Sequence, residues 1–314
     1  MLKRSKRARV VARLTMIISG MIMCIFLFST LTLAEPDYFS PKTWDGIMKE
    51  DNGPDLNGYP MVFVYGIAGK FSHWERTIKT IGGPNYYNIG FLPSGKLYHN
   101  YHGGRPNIWL WNASYYTREI VTESMRGDLT LYALRLQEMI EVIKEITKKD
   151  KVVIIAHSMG GLVARKYMAL NQANWDSVYK ILTVATPHQG VATSIGVVGQ
   201  LADLKRNSKF ISSLNAAWSR LDTGESKWGV IGAIDHKMFF NHKVSPDNTD
   251  SSGPGFIAIS SAIPFGEWKD AVSHLNRIAY HTTHFAFRLA VYAKHMKLLY
   301  HKATFEGIYW AVKK

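Results

Sequence analysis

The chain has 314 residues, of which 46% are hydrophobic and 20% charged, with a formal net charge of +14. That balance excludes a disordered or fibrous chain and leaves room for one large domain with a substantial core. No nucleic-acid-binding motif accompanies the basic charge, which argues against a nucleic-acid partner, and the sole cysteine, Cys24, excludes a disulfide framework.

Lys3, Arg4, Lys6, Arg7, Arg9 and Arg13 form a basic cluster, and the almost uncharged apolar run Met16–Ala34 follows it. Residues 1–34 therefore read as a secretory signal peptide or an N-terminal membrane anchor. The run of 19 residues is near the minimum for a span, while the small residues Thr32 and Ala34 favour cleavage. Either way residues 35–314 are expected to form a single domain, exported (periplasmic or secreted) or anchored at a membrane. This part keeps a charge of +8 (14 minus 6). Such a surface suits contact with anionic lipid headgroups or is simply solvated.

Pro36–Pro60, rich in Pro, Gly, Asp and Asn, is a surface lead-in. Pro60–Tyr65 is the first buried strand, broken by Gly66-Ile67-Ala68-Gly69. The aromatic-rich stretch Phe71–Thr117 supplies core, with some rings available to wall an acyl site. His99 and His102 lack an acidic or Cys partner at ligand spacing and read as structural, so no metal is expected. Asn112-Ala113-Ser114 is a glycosylation sequon. Asp128 is an N-cap. Leu129, Tyr132, Leu136, Met139, Ile140, Ile143 and Ile146 then recur at the spacing of an amphipathic helix.

The chemistry is concentrated in KVVIIAHSMGGLVAR, Lys151–Arg165. Val152–Ala156 is a strand apolar on both faces, and Leu162–Leu170 is made of good helix formers. Ser158 stands at the tip of the sharp turn between them, a nucleophile elbow. A serine hydroxyl is a weak nucleophile until a base takes its proton and donors hold the oxyanion. The helix must cross close to the strand, so the residues two before and two after the serine must be small. They are Ala156 and Gly160. The N–H of Met159, at the helix start, faces the developing negative charge.

Beyond the elbow, Lys180–Ala185 is another buried strand, ending in Thr186-Pro187-His188-Gln189-Gly190. Residues 190–243 read as a cap or lid insertion with a helical piece at Phe210–Leu221. A polar loop, Pro246–Gly255, carries Asp247 and Asp250 and leads to a short strand, Phe256–Ile259. His274 lies in Ser273-His274-Leu275-Asn276. His281 and His284 follow an apparent strand, Ile278–Tyr280, and Phe285–Leu299 reads as the closing helix.

On the pieces VFVYGIAG, VVIIAHSMGGLVARKY, ATPHQG, FISSLN, ISSAIPFGEW and SHLNRI, in that order, the chain resembles bacterial secreted lipases and related α/β-hydrolase esterases. Around the elbow it is also similar to the inositol deacylase branch. The resemblance implies an α/β-hydrolase fold, a mostly parallel central sheet with helices on both faces and a helical cap insertion. It implies a Ser–Asp–His triad in chain order, with Ser158 as nucleophile. Asp250 is the expected acid, with Asp247 as the alternative. His274 is the expected base, with His284 and then His281 as alternatives. The second oxyanion donor falls on Ile67, partnering Met159. Tyr65 stands where lipases usually carry His, and Ala156 where the elbow motif begins with Gly. The implied activity is hydrolysis of carboxylic esters, with a lipid or acylglycerol ester as substrate and no cofactor. Some secreted lipases hold structural calcium, but no ligand set for it stands out here. A lipid acyltransferase is the alternative. The departures at Tyr65 and Ala156 motivate another, a catalytically inactive fold used for binding. The oligomeric state stays open.

Overall fold

The computed structural model describes residues 44, 56–117, 123, 128–191, 199–222, 227–235, 245–250, 257–274, 277–281 and 285–314; for 267–281 it describes the backbone alone. The N-terminal segment 1–34, with Cys24, lies outside the described residues, as does His284. Among the described residues no helix is long and apolar enough to cross a membrane.

In chain order the strands and helices are β1 (Met61–Val64), α1 (Ser72–Gly82), β2 (Tyr87–Phe91), β3 (Leu97–His99), β4 (Leu110–Ser114), α2 (Leu129–Thr147), β5 (Val152–His157), α3 (Met159–Met168), α4 (Gln172–Asp176) and β6 (Val178–Val184). Then follow α5 (Gly199–Asp203), α6 (Lys209–Leu221), β7 (Trp228–Ile234), α7 (Ile259–Ala262), β8 (Glu267–His274), β9 (Arg277–His281), β10 (Phe287–Tyr292), a 3₁₀ helix at His295–Tyr300 and α8 (Lys302–Val312). One sheet runs in the order β3-β2-β4-β1-β5-β6-β7-β10-β9-β8. From β2 to β10 every neighbouring pair is parallel; β3 on one edge and the β9–β8 hairpin on the other are antiparallel.

Parallel strands need helical crossovers, which cover both faces and make the central strands apolar throughout. Every residue of β5 is buried. Trp228 faces the Arg165 guanidinium of α3, whereas a Cβ on its neighbour Gly229 would meet Trp310 of α8 at 2.5 Å. Successive strand residues point to opposite faces, so α3 and α8 cover opposite sides of the sheet. The Asp128 side chain caps α2 by accepting from the Leu131 N–H at 2.7 Å. This helix feeds β5, so its N-terminus lies at the strand edge that carries Ser158.

Three expectations shift. Phe285–Leu299 is not a helix: Phe287–Tyr292 pairs in parallel with β7, and the closing helix is α8. The pairing offered by an open sheet edge outweighs the helix propensity of Leu and Ala there. Of the expected strand Phe256–Ile259, Phe256 lies outside the described residues, Ala258 bridges Thr249, and Ile259 already opens the single turn of α7. The stretch 190–243 contains β7, a central strand, so a cap can only be built from what precedes it, including α6, and from residues 236–244, which lie outside the described ones. The helix α6 buries Phe210, Ile211, Leu214 and Trp218. The sequon is buried as well: Asn112 is fully enclosed in β4, so a glycan has no access to it.

Candidate active site

Ser158 links β5 to α3 with φ of +56°. A non-glycine residue held there costs on the order of 1–3 kcal/mol, so its surroundings must over-determine it. Its N–H donates to the Val184 carbonyl at 2.8 Å, and its own carbonyl accepts from Gly161 at 3.0 Å. The elbow packs without space for side chains. A Cβ on Gly160 would lie 2.3 Å from the Tyr65 carbonyl oxygen, and one on Gly66 would lie 2.6 Å from Ser158 Cβ and 3.0 Å from its Oγ. Gly66 therefore presses directly on the serine, and Ile67 is the next residue. Met159 opens α3, where the first N–H groups have no acceptor within the helix and the helix dipole is positive.

Tyrosines hold the segment after β1. The Tyr65 hydroxyl bonds Ser114 Oγ at the end of β4, and burial pushes this phenol above its usual range. Tyr65 fits because Gly69 has no side chain: a Cβ there would lie 2.1 Å from the Tyr65 ring. Tyr115 Oη shares its one hydrogen between the carbonyls of Tyr65, 2.8 Å away, and Gly66, 3.1 Å away.

Asp250, 1% exposed, is bonded to a histidine that none of the sequence motifs marked. His295 Nδ1 lies 2.6 Å from Asp250 Oδ2, and Asp250 Oδ1 accepts from the Ile257 N–H at 3.2 Å. The backbones are joined too: the His295 N–H donates to the Asp250 carbonyl at 2.9 Å. A carboxylate can only accept, so Nδ1 carries the proton of this bond, which leaves Nε2 as the ring's other nitrogen. The His295 ring lies 4.5 Å, centroid to centroid, from that of His157, the residue before Ser158. His157 Nε2 donates to the His295 carbonyl at 3.2 Å. Burial, and then His295 beside it, hold the His157 imidazole well below its usual pKa, so it is neutral.

The histidine paired with Asp250 is thus His295 rather than His274. His274 ends β8, the outermost strand, with β9 and β10 between it and β7. His281 sits at the opposite end of that hairpin, across from Glu267. Asp247 is exposed in a turn. The position of His295 just beyond the last parallel strand would have marked it, had Phe287–Tyr292 been read as a strand.

His188, expected as a turn residue, is fully buried in a second polar cluster. Its Nδ1 accepts from Arg165 Nη1 at 3.1 Å, and its Nε2 faces Thr183 Oγ1 at 3.0 Å. The guanidinium lies 4.6 Å from the ring centres of both Trp218 and Trp228 and donates to Asn215 of α6 at 3.0 Å. Burial pushes Arg165 down to about 9, so it stays cationic at neutral pH. The cluster ties α6 to the elbow helix.

The family model described as the PGAP1-like alpha/beta domain matches residues 55–228, more than half of the chain. The chain belongs to that family. A GPI inositol-deacylase of Candida albicans is 30% identical over 133 residues, 42% of this chain and 32% of that protein. One from Kluyveromyces lactis is 24% identical over 225 residues, 67% of this chain and 22% of that protein. This chain thus spans about a third or less of the length of these curated relatives. Among solved structures, a gene product of Listeria innocua superposes with a TM-score of 0.56 at 12% identity, covering 82% of this chain and 95% of that one. The mature lipase BlEst2 of Bacillus licheniformis gives 0.50 at 15% identity, with 83% and 94% covered. This PGAP1-like domain has the α/β-hydrolase fold, lipase-like in architecture. The matched region includes Ser158 and ends before Asp250 and His295.

Proposed function

We propose that this PGAP1-like domain hydrolyses carboxylic esters of lipids through an acyl-enzyme on Ser158, with His295 as base and Asp250 as its orienting acid. The observation that carries the reading is the pairing of His295 with the buried Asp250 carboxylate, the imidazole lying against His157 beside a serine on a strained strand-to-helix turn. Ser158 Oγ attacks the ester carbonyl carbon while His295 Nε2 takes its proton. The Ile67 and Met159 N–H groups hold the oxyanion. Collapse breaks the ester C–O bond, and the leaving alcohol takes the proton from His295. Water, deprotonated in turn by His295, attacks the acyl carbon; the bond to Ser158 Oγ breaks, the acid leaves and Oγ takes the proton back from His295. Asp250 stabilises the imidazolium formed in each half.

The relatives' name, GPI inositol-deacylase, favours a substrate in which a fatty acyl chain esterifies an inositol hydroxyl. The basic and apolar N-terminal stretch supports action on the exported side of a membrane or at its surface. The test uses the full chain in detergent, assayed on short- and long-chain p-nitrophenyl esters and on an acylated inositol phospholipid, beside Ser158→Ala. Hydrolysis is expected to favour long acyl chains and to fall by roughly 10³-fold or more in the variant. Turnover that survives Ser158→Ala overturns the mechanism. Acyl groups delivered to an added alcohol in preference to water assign transfer instead.

A further inference from the structure

We propose that Tyr115 is a positioning residue for the oxyanion hole, acting by fixing the Gly66–Ile67 peptide plane. The inference rests on the Ser158 ester-hydrolysis reading and adds the residue that sets the direction of one donor. In a planar trans peptide, the carbonyl of Gly66 and the N–H of Ile67 point to opposite sides. Whatever holds the carbonyl therefore aims the N–H. Tyr115 Oη lies 3.1 Å from that carbonyl and 2.8 Å from the one before it. Within the same turn the Gly69 N–H also donates to the Gly66 oxygen, at 3.2 Å. Gly66 is also the residue pressed against Ser158 Oγ, so a tilt of this peptide moves the donor relative to the reacting carbonyl.

Tyr115 is built to hold that position. It lies one residue beyond β4, fully buried, with its ring 4.8 Å from that of Tyr116 and 4.9 Å from that of Tyr132. Arg135 Nη1 donates to its carbonyl at 3.0 Å. Burial first, and then the neighbouring phenols, raise its pKa well above the usual range, so the hydroxyl remains a donor. The turn it holds is strained: Ala68 has φ of +50°, and its N–H reaches Tyr116 Oη at 3.4 Å, which in turn donates to Gln200 at 2.7 Å. Two adjacent tyrosines from one strand end thus pin a turn that leaves another.

The experiment compares Tyr115→Phe with Tyr132→Phe in the full chain. Each removes one hydroxyl from the same ring cluster, but Tyr132 Oη donates to the Glu123 carbonyl, at 3.0 Å, and not to the turn. Active sites are titrated with a fluorophosphonate, and kcat and KM are measured per titrated site. Affinity is then measured for a long-chain alkyl trifluoromethyl ketone, which adds to the serine and places an oxyanion in the hole. Tyr115→Phe is expected to lower kcat by roughly 10- to 100-fold with KM within about twofold, the signature of an interaction made in the transition state. Affinity for the ketone should fall in parallel, while Tyr132→Phe keeps wild-type values. A Tyr115→Phe protein with a lower Tm but wild-type kcat per site and ketone affinity overturns the inference and leaves the hydrolysis reading intact. A wild-type chain without Ser158-dependent turnover overturns the hydrolysis reading, and the inference with it.

Discussion

Ser158 is fixed by contacts among β1, β5, α3 and the end of β6, whereas Asp250 and His295 meet across 45 residues of chain. The two regions hold their groups by different physics. In the first, backbone strain is locked by glycines with no room for a side chain, and the match to the PGAP1-like family covers all of it. In the second, beyond residue 228, the pair stands on chain that follows β7 and β10, joined by one side-chain bond and one backbone bond. A nucleophile needs one exact rotation about its backbone, which a tight turn supplies locally. An acid–base pair needs only that two loops arrive at the same place, and many sequences of loop can do this.

The largest expected effects test the second region. His295→Ala and Asp250→Asn should each lower kcat by roughly 10³- to 10⁴-fold, since the asparagine would favour the wrong imidazole tautomer. His274→Ala should stay within a few-fold of wild type, being on the outermost strand. Ester turnover by purified protein decides it. If His274→Ala is inactive and His295→Ala is not, the pairing seen here does not serve the reaction.

The first region should break through stability instead. Gly160→Ala sets a Cβ against the Tyr65 carbonyl, 2.3 Å away in the unrelaxed structure. Backbone cannot step aside as a flexible side chain can, so the cost should be at least the 1–3 kcal/mol typical of overpacking, roughly, or several degrees in Tm. Calorimetry of the variant checks this. A Tm equal to wild type would mean that the elbow has slack the packing does not show.

The same contrast explains what could be read from the sequence. Val152–Ala156, the serine turn and the helix after it are contiguous, so strand pattern, small residues and helix formers point to one structure. The N-cap Asp128 and the strand at β1 were legible for the same reason. Asp250 is the acid that the lipase resemblance implies, and the structure brings it to a histidine. His295 was hidden because Phe285–Leu299 carries helix formers, while a parallel partner, β7, draws Phe287–Tyr292 into the sheet. That partner was itself concealed inside the stretch read as a cap. Asn112 shows the converse: a motif is local, and only the fold decides whether solvent reaches it.

The smallest effect is a pH dependence within the first region. Arg165 has no acceptor, so the His188 Nδ1 facing it at 3.1 Å must be unprotonated, and Nε2 must carry the hydrogen toward Thr183. Protonating Nδ1 would remove that acceptor and set two cations side by side away from water. Burial, and then Arg165, accordingly hold His188 well below its usual pKa. The folded state therefore resists a proton that the unfolded chain binds below about pH 6.5. Stability from this group is complete above that pH and is lost as pH falls below it, by up to about 1.4 kcal/mol per pH unit. His157, held low by burial and then by His295, adds a second such slope. Urea unfolding of wild type and His188→Gln between pH 7.5 and 5.5 isolates the first. The glutamine can accept from Arg165 and donate to Thr183 without titrating, so the variant should lose stability less steeply, by about one proton. Equal slopes would mean that burial beside Arg165 does not keep His188 neutral in the folded state.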